Sequence, residues 1–161
     1  MNINFTIEIN RPIDFVWNVL AEDFVNIHKW YGPVKNSYDL DSQVKLPGAS
    51  CAGRVCELSD KPDGLKASET ITVYDKANHL LELNVQIIDS PAIMPINGNY
   101  AIFQLSNTSS NQTVLSVEVE PRLKMHGYIL YPLIKIGISM EFKKMLQAFK
   151  NHTEKLAFSA A

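Results

Sequence analysis

The sequence predicts an α+β domain in which a curved antiparallel sheet is closed over an internal apolar cavity by one long C-terminal helix. Three observations carry this reading. The chain opens on a period-two alternation of apolar and polar residues. Its middle is a succession of strand-like runs joined by short, turn-rich segments. From Gly127 the apolar period becomes helical and stays so to about Phe158. With 161 residues, 46% hydrophobic and 20% charged, residues 1–161 suffice for a single domain with one core.

Taken in order, Ile3, Phe5, Ile7 and Ile9 alternate with Asn4, Thr6 and Glu8 as in a strand with one buried face. Asn10 is placed to cap a helix whose first turn holds Pro12 and Asp14, with Ile13, Val16, Trp17 and Leu20 at helical spacing. A second short helix is expected near Asp23 to His28. Pro33 ends it, and Val34 to Asp41 reads as the next strand.

A meander follows: Arg54–Leu58, Leu65–Tyr74, His79–Ile88, Asn99–Leu105 and Thr113–Leu123. The connections are too short for crossover helices, so the strands run antiparallel. Asp75 to Asn78 and Asn107 to Gln112 read as hairpin loops, and the longer segments Ser59 to Leu65 and Asp89 to Asn97 as loops bordering an opening.

The closing helix carries an apolar stripe of Leu130, Ile134, Ile138, Phe142, Met145, Phe149 and Leu156. Its second half sets Lys143, Lys144, Gln147, Lys150, Asn151, Glu154 and Lys155 against that stripe, as an amphipathic helix should. In the first half only Lys135 and Ser139 interrupt the apolar side chains between Tyr128 and Met140. That section needs a neighbour besides the sheet: a bound ligand, a partner subunit or a lipid surface.

Composition excludes several classes. Fifteen basic against seventeen acidic residues give a net charge of -2, so no positive field draws the chain to nucleic acid. Cys51 and Cys56 have no second cysteine pair and no neighbouring histidine to complete a zinc site, and read as reduced, partly buried thiols. The first residues lack the basic and apolar segments of a secretion signal, so a cytoplasmic location is expected, and with it no use of the Asn-x-Ser/Thr matches. The apolar stretch Gly127 to Phe142 is broken by Pro132, Lys135 and Glu141 and is shorter than the roughly 20 residues of a spanning helix. Nucleophile-elbow, phosphate-loop, zinc-pair and dinucleotide motifs are missing, so no metal or cofactor is expected. His28, His79, His126 and His152 are scattered and read as surface histidines.

One position breaks the pattern. On the strand Leu65 to Tyr74, Glu69 shares the apolar face of Ala67, Ile71 and Val73. A carboxylate there must be paired, hydrated or neutralised, which predicts a polar spot in the cavity wall; a bulge that turns it to solvent is the competing reading.

The order of elements, with the words I-E-I-N-R-P-I-D-F-V-W-N-V-L-A-E-D-F, H-K-W-Y-G-P-V-K-N-S, S-E-T-I-T-V-Y-D-K-A-N-H-L-L-E-L and D-S-P-A-I-M-P-I-N-G-N-Y, resembles the START-like or SRPBCC superfamily from Ile3 to Leu156. That superfamily includes polyketide cyclase/dehydratase-type proteins, the birch-pollen allergen family and plant abscisic-acid receptors. The resemblance implies a helix-grip fold, with a seven-stranded sheet around the C-terminal helix and two short helices between strands 1 and 2.

Against the receptors, S-E-T-I is similar to their strand that presents a pocket glutamate, here Glu69. G-N-Y puts Tyr100 at a pocket tyrosine, and V-K-N-S puts Lys35 where a lysine meets a ligand carboxylate. Alternation opposes the last assignment, because burying Val34, Asn36, Tyr38 and Leu40 turns Lys35 outward. The two long loops correspond to the receptors' lid loops but lack their gate and latch words, so no hormone switch is implied.

The leading expectation is binding or carriage of a small hydrophobic or amphipathic molecule, oriented by Glu69, Tyr100 and Lys35 and lined by Trp30, Ile71, Leu83, Val117, Ile134 and Ile138. The first alternative is a cyclase, aromatase or condensing enzyme without metal or nucleotide, with Glu69 and Tyr100 or Lys35 as acid and base. The second is a dimerising or partner-binding module using the apolar start of the closing helix.

Overall fold

The computed structural model describes residues 2–41 and 43–157. Seven antiparallel strands form one sheet: β1 (Ile3–Ile9), β2 (Asn36–Asp39), β3 (Gly53–Glu57), β4 (Lys66–Asp75), β5 (Leu80–Ile88), β6 (Ile96–Ser109) and β7 (Gln112–Leu123). Their spatial order is β1-β7-β6-β5-β4-β3-β2, so the chain places β1 and β2 on opposite edges and meanders back between them. Helix α1 (Ile13–Trp17) runs into a π-helical turn (Asn18–Glu22), and a 3-10 helix (Phe24–Lys29) follows before β2. Helix α2 (Tyr131–Lys155) lies on the concave face after a short 3-10 turn, Met125–Gly127. Phe158, where the helical period was expected to end, lies outside the described residues.

The period-two rows become the core as expected: Ile3, Phe5 and Ile9 of β1, Leu81, Leu83 and Val85 of β5, and Leu115, Val117 and Val119 of β7 are buried. The second half of α2 closes over them through Leu146 and Phe149, and the Phe142 ring stacks on Phe5 with centroids 5.4 Å apart. The end of α2 is fastened to the end of β1. Lys150 Nζ donates to the Glu8 carbonyl at 2.6 Å, and the Asn10 N–H donates to Glu154 Oε1 at 2.7 Å. Asn10 therefore serves α2 and does not cap α1, which begins three residues further on after Pro12.

Two bulges decide which side chains face the cavity. In β4 the register with β5 shifts between Ile71 and Val73. Glu69, opposite Val85, stays on the inner face, while Val73 moves to the outer face opposite Glu82 and Tyr74 turns inward opposite Leu81. The bulge suspected as a rival explanation for Glu69 thus exists, two residues beyond it. In β6 the register with β7 shifts between Ile96 and Gly98; beyond that shift Asn99 and Ala101 face inward, opposite Val85 and Leu83.

Candidate ligand-binding site

The inner wall of β3 and β4 holds one ion pair. Arg54 and Glu69 are direct cross-strand partners. Arg54 Nε donates to Glu69 Oε2 at 2.8 Å, and Nη2 approaches the same oxygen at 2.6 Å. Arg54 also donates to the Phe24 carbonyl, with its guanidinium carbon 3.9 Å from the Phe24 ring centroid. Gly53 permits this close approach, because a Cβ there would fall 2.1 Å from the Glu69 carbonyl oxygen. The Cys56 thiol points at Glu69 Oε1 across 3.8 Å, and burial, with the Glu69 charge second, pushes its pKa up to about 12. It therefore stays protonated at neutral pH.

Around this pair the sheet and α2 border adjoining spaces, of which the larger two open to solvent. A middle chamber of about 200 Å³ is walled by Ala67, Glu69, Val85, Ala101, Phe142 and Met145. Inward of it, a small void of about 30 Å³ lies among Leu20, Phe24, Trp30, Leu81, Leu146 and Phe149, room for no more than a few waters. Outward, a chamber of about 310 Å³ is lined by Met94, Ile96, Ile134, Gly137, Ile138 and Phe142. Arg54, Leu83 and Phe103 are common to the first two, and Ile87, Asn99, Glu141 and Phe142 separate the middle chamber from the outer one. At that partition Tyr31 donates its hydroxyl to Glu141 Oε2 at 3.2 Å, and Lys144 donates to Glu141 Oε1 at 2.8 Å. Burial, with the Glu141 charge second, pushes the Tyr31 phenol up to about 12.

Several of the sequence-nominated residues meet here. Glu69 and Leu83 line the middle chamber, Trp30 the inner void, and Ile134 and Ile138 the outer chamber. Ile71 and Val117 are buried in the core without lining a chamber.

Tyr100 and Lys35 are corrections. Tyr100 pairs with Asn84 on the outer face, and its hydroxyl donates to Glu82 Oε2. The residue of G-N-Y that faces the chambers is Asn99, one position earlier, because side chains alternate along β6. Lys35 is exposed, as the alternation argument anticipated, but for another reason. It precedes β2, where its N–H donates to the Glu57 carbonyl at 2.8 Å. Within β2 the expected phase is reversed: Ser37 is buried opposite Cys56, while Asn36 and Tyr38 are exposed.

Arg54 was missed at the sequence level. It stands in a short strand, Gly53–Glu57, with no clear alternation, whose facing could not be phased until β3 was paired with β4. Asn99 was missed for the same reason on β6.

The start of α2 remains uncovered. Ile129 is 85% exposed, Leu133 68% and Ile136 59%, and Met125, Tyr128 and Met140 are also exposed. Among the described residues no helix is long and apolar enough to cross a membrane, and no group of metal-ligating side chains occurs.

No family model matches the chain, and no curated protein matches it. Solved structures do. A START superfamily protein from Mycobacterium smegmatis superimposes with a TM-score of 0.75 at 13% identity, over 97% of this chain and 99% of that one. The Zhui aromatase/cyclase from Streptomyces sp. R1128 gives 0.71 at 12% identity, over 96% and 94%. Norcoclaurine synthase from Thalictrum flavum, solved with dopamine and hydroxybenzaldehyde, gives 0.64 at 17% identity, over 99% and 89%. The chain has the START-like, helix-grip fold. At these identities the likeness is one of fold and assigns no activity.

Proposed function

We propose that this protein binds a small hydrophobic or amphipathic molecule in the chambers between its sheet and α2. The observation that carries the reading is the unfilled apolar space of the middle and outer chambers, about 200 and 310 Å³, next to a single fixed ion pair. An apolar cavity with a few oriented polar groups is the common form of a ligand site. A chain that needed only stability would gain by filling such space with side chains.

Binding is favoured over cyclase-type catalysis because the nominated acid and base, Glu69 and Tyr100, lie on opposite faces of the sheet and cannot reach one substrate atom. The test is native mass spectrometry of the purified protein, with melting shifts across a panel of lipids and aromatic polyketides. A retained ligand, or a melting rise of several degrees with a fitting compound, is expected. Absence of both overturns the reading.

We further propose that a second copy of the chain covers the start of α2. Leu133, Ile136 and Met140 are exposed at helical spacing on α2, with exposed Ile129 just before it. Burying these side chains against the same row of a second copy would remove them from water.

A further inference from the structure

Resting on that reading, we infer that the chambers select a neutral or cationic ligand whose polar head donates hydrogen bonds, and reject carboxylates and phosphates. The charges that line the three spaces are Asp23, Glu69 and Glu141 against the cation Arg54, with Lys144, outside the lining, held on Glu141 at 2.8 Å. Arg54 directs two nitrogens at Glu69 Oε2 and a third at the Phe24 carbonyl, so its charge is neutralised within the wall. Lys35, the cation that would have received an acidic ligand, is exposed outside the chambers. An anionic head entering here would lose its water and gain no free counter-charge, while meeting carboxylates.

The acceptors, by contrast, have spare capacity. Glu69 Oε1 is approached by the weak thiol donor of Cys56 at 3.8 Å, and a carboxylate oxygen takes two hydrogen bonds. Asn99, in the partition between the middle and outer chambers, has a buried Oδ1 with no hydrogen-bond partner. An orphaned buried amide oxygen is uncommon and lowers stability until a donor reaches it. A turn of the terminal amide is a soft motion that would bring it to a ligand. A hydroxyl or ammonium between Glu69 and Asn99, with its apolar body extending toward Ile134 and Ile138, matches both walls.

The experiment is an NMR shift titration of the isotope-labelled chain with three two-ring probes of nearly equal size: 2-methylnaphthalene, 2-naphthol and 2-naphthoate, at neutral pH. The expected order is 2-naphthol about tenfold tighter than 2-methylnaphthalene, as one added hydrogen bond gives, with 2-naphthoate at least about tenfold weaker than 2-naphthol. Asn99→Leu is expected to fold at least as stably and to lose the preference for 2-naphthol over 2-methylnaphthalene. Glu69→Gln leaves Arg54 without its counter-charge and is expected to raise 2-naphthoate affinity about tenfold. If 2-methylnaphthalene binds while 2-naphthoate matches 2-naphthol, the polarity inference is overturned and the container stands. If no probe shifts any resonance, the polarity inference is overturned, and the container falls with it when the native mass spectra and the melting panel are also blank.

Discussion

Arg54 and Glu69 face each other across the β3–β4 ladder and share one carboxylate oxygen, Oε2, at 2.8 and 2.6 Å from two guanidinium nitrogens. Both side chains are largely buried, with 9% and 14% of their surface exposed. Removing one partner strands the other's charge. Arg54→Met alone is expected to lower stability by about 3–5 kcal/mol, while Arg54→Met with Glu69→Leu recovers most of that loss. Urea unfolding of both variants checks this; equal losses would show that the pair is not a unit.

Ala101 fills almost none of the middle chamber it lines, and its Cβ faces Leu83 across the β5–β6 ladder. Ala101→Phe is therefore expected to occupy the chamber and weaken 2-naphthol binding by about tenfold or more, while changing stability by less than about 3 kcal/mol. The NMR titration reads the first and urea unfolding the second.

His152 stacks on Trp30 with ring centroids 6.1 Å apart, and burial holds its pKa below the usual 6.5; Asp23 raises it and Lys29 lowers it further. The folded chain thus gives up this proton more readily than the unfolded chain does. Its contribution is complete above pH 6.5 and lost as pH falls through the folded value. Stability measured from pH 7.5 down to 5 should fall, and His152→Gln should flatten that fall.

Cys51 and Cys56 are both buried, and burial raises both thiols, Cys56 to about 12. At pH 8 neither is expected to react with Ellman's reagent in the folded protein, and both are expected to react in guanidinium chloride. Rapid labelling of Cys56 in the native state would mean that the middle chamber opens further than its walls suggest.

Ile129 and Leu133 are exposed at 85% and 68%. Ile129→Glu with Leu133→Glu should change monomer stability by less than about 1 kcal/mol. In sedimentation velocity across a concentration series, the unaltered chain should associate and the variant should not. A chain monomeric at every concentration would overturn the second-copy proposal, and binding of the unaltered chain but not the variant to lipid vesicles would assign the row to a lipid surface.

Much of this architecture was legible in the sequence, because one-sided burial writes a period of two into strands and 3.6 into helices. β1, β5 and β7 follow their patterns nearly residue by residue, whereas in α2 Phe149 is buried as expected, Leu146 is buried outside the expected stripe and Leu156 is exposed. Glu69 was legible for the same reason, as a charge on an apolar row. β2 was legible as a strand within Val34 to Asp41 but not in its facing, since its four residues, Asn36–Asp39, contain no apolar alternation to phase.

What the sequence determined by itself is the outline of the container: which runs are strands and where the closing helix lies, with Glu69 nominated as an inward charge. What only the tertiary structure decided is the polarity of the interior. Arg54 meets Glu69 through the β3–β4 register. Beyond the β6 bulge, Asn99 faces the chambers while Tyr100 is set on the outer face. The physical reason is that a one-residue shift in a strand moves every following side chain to the other face, and such a shift is fixed by pairing with a neighbour far along the chain.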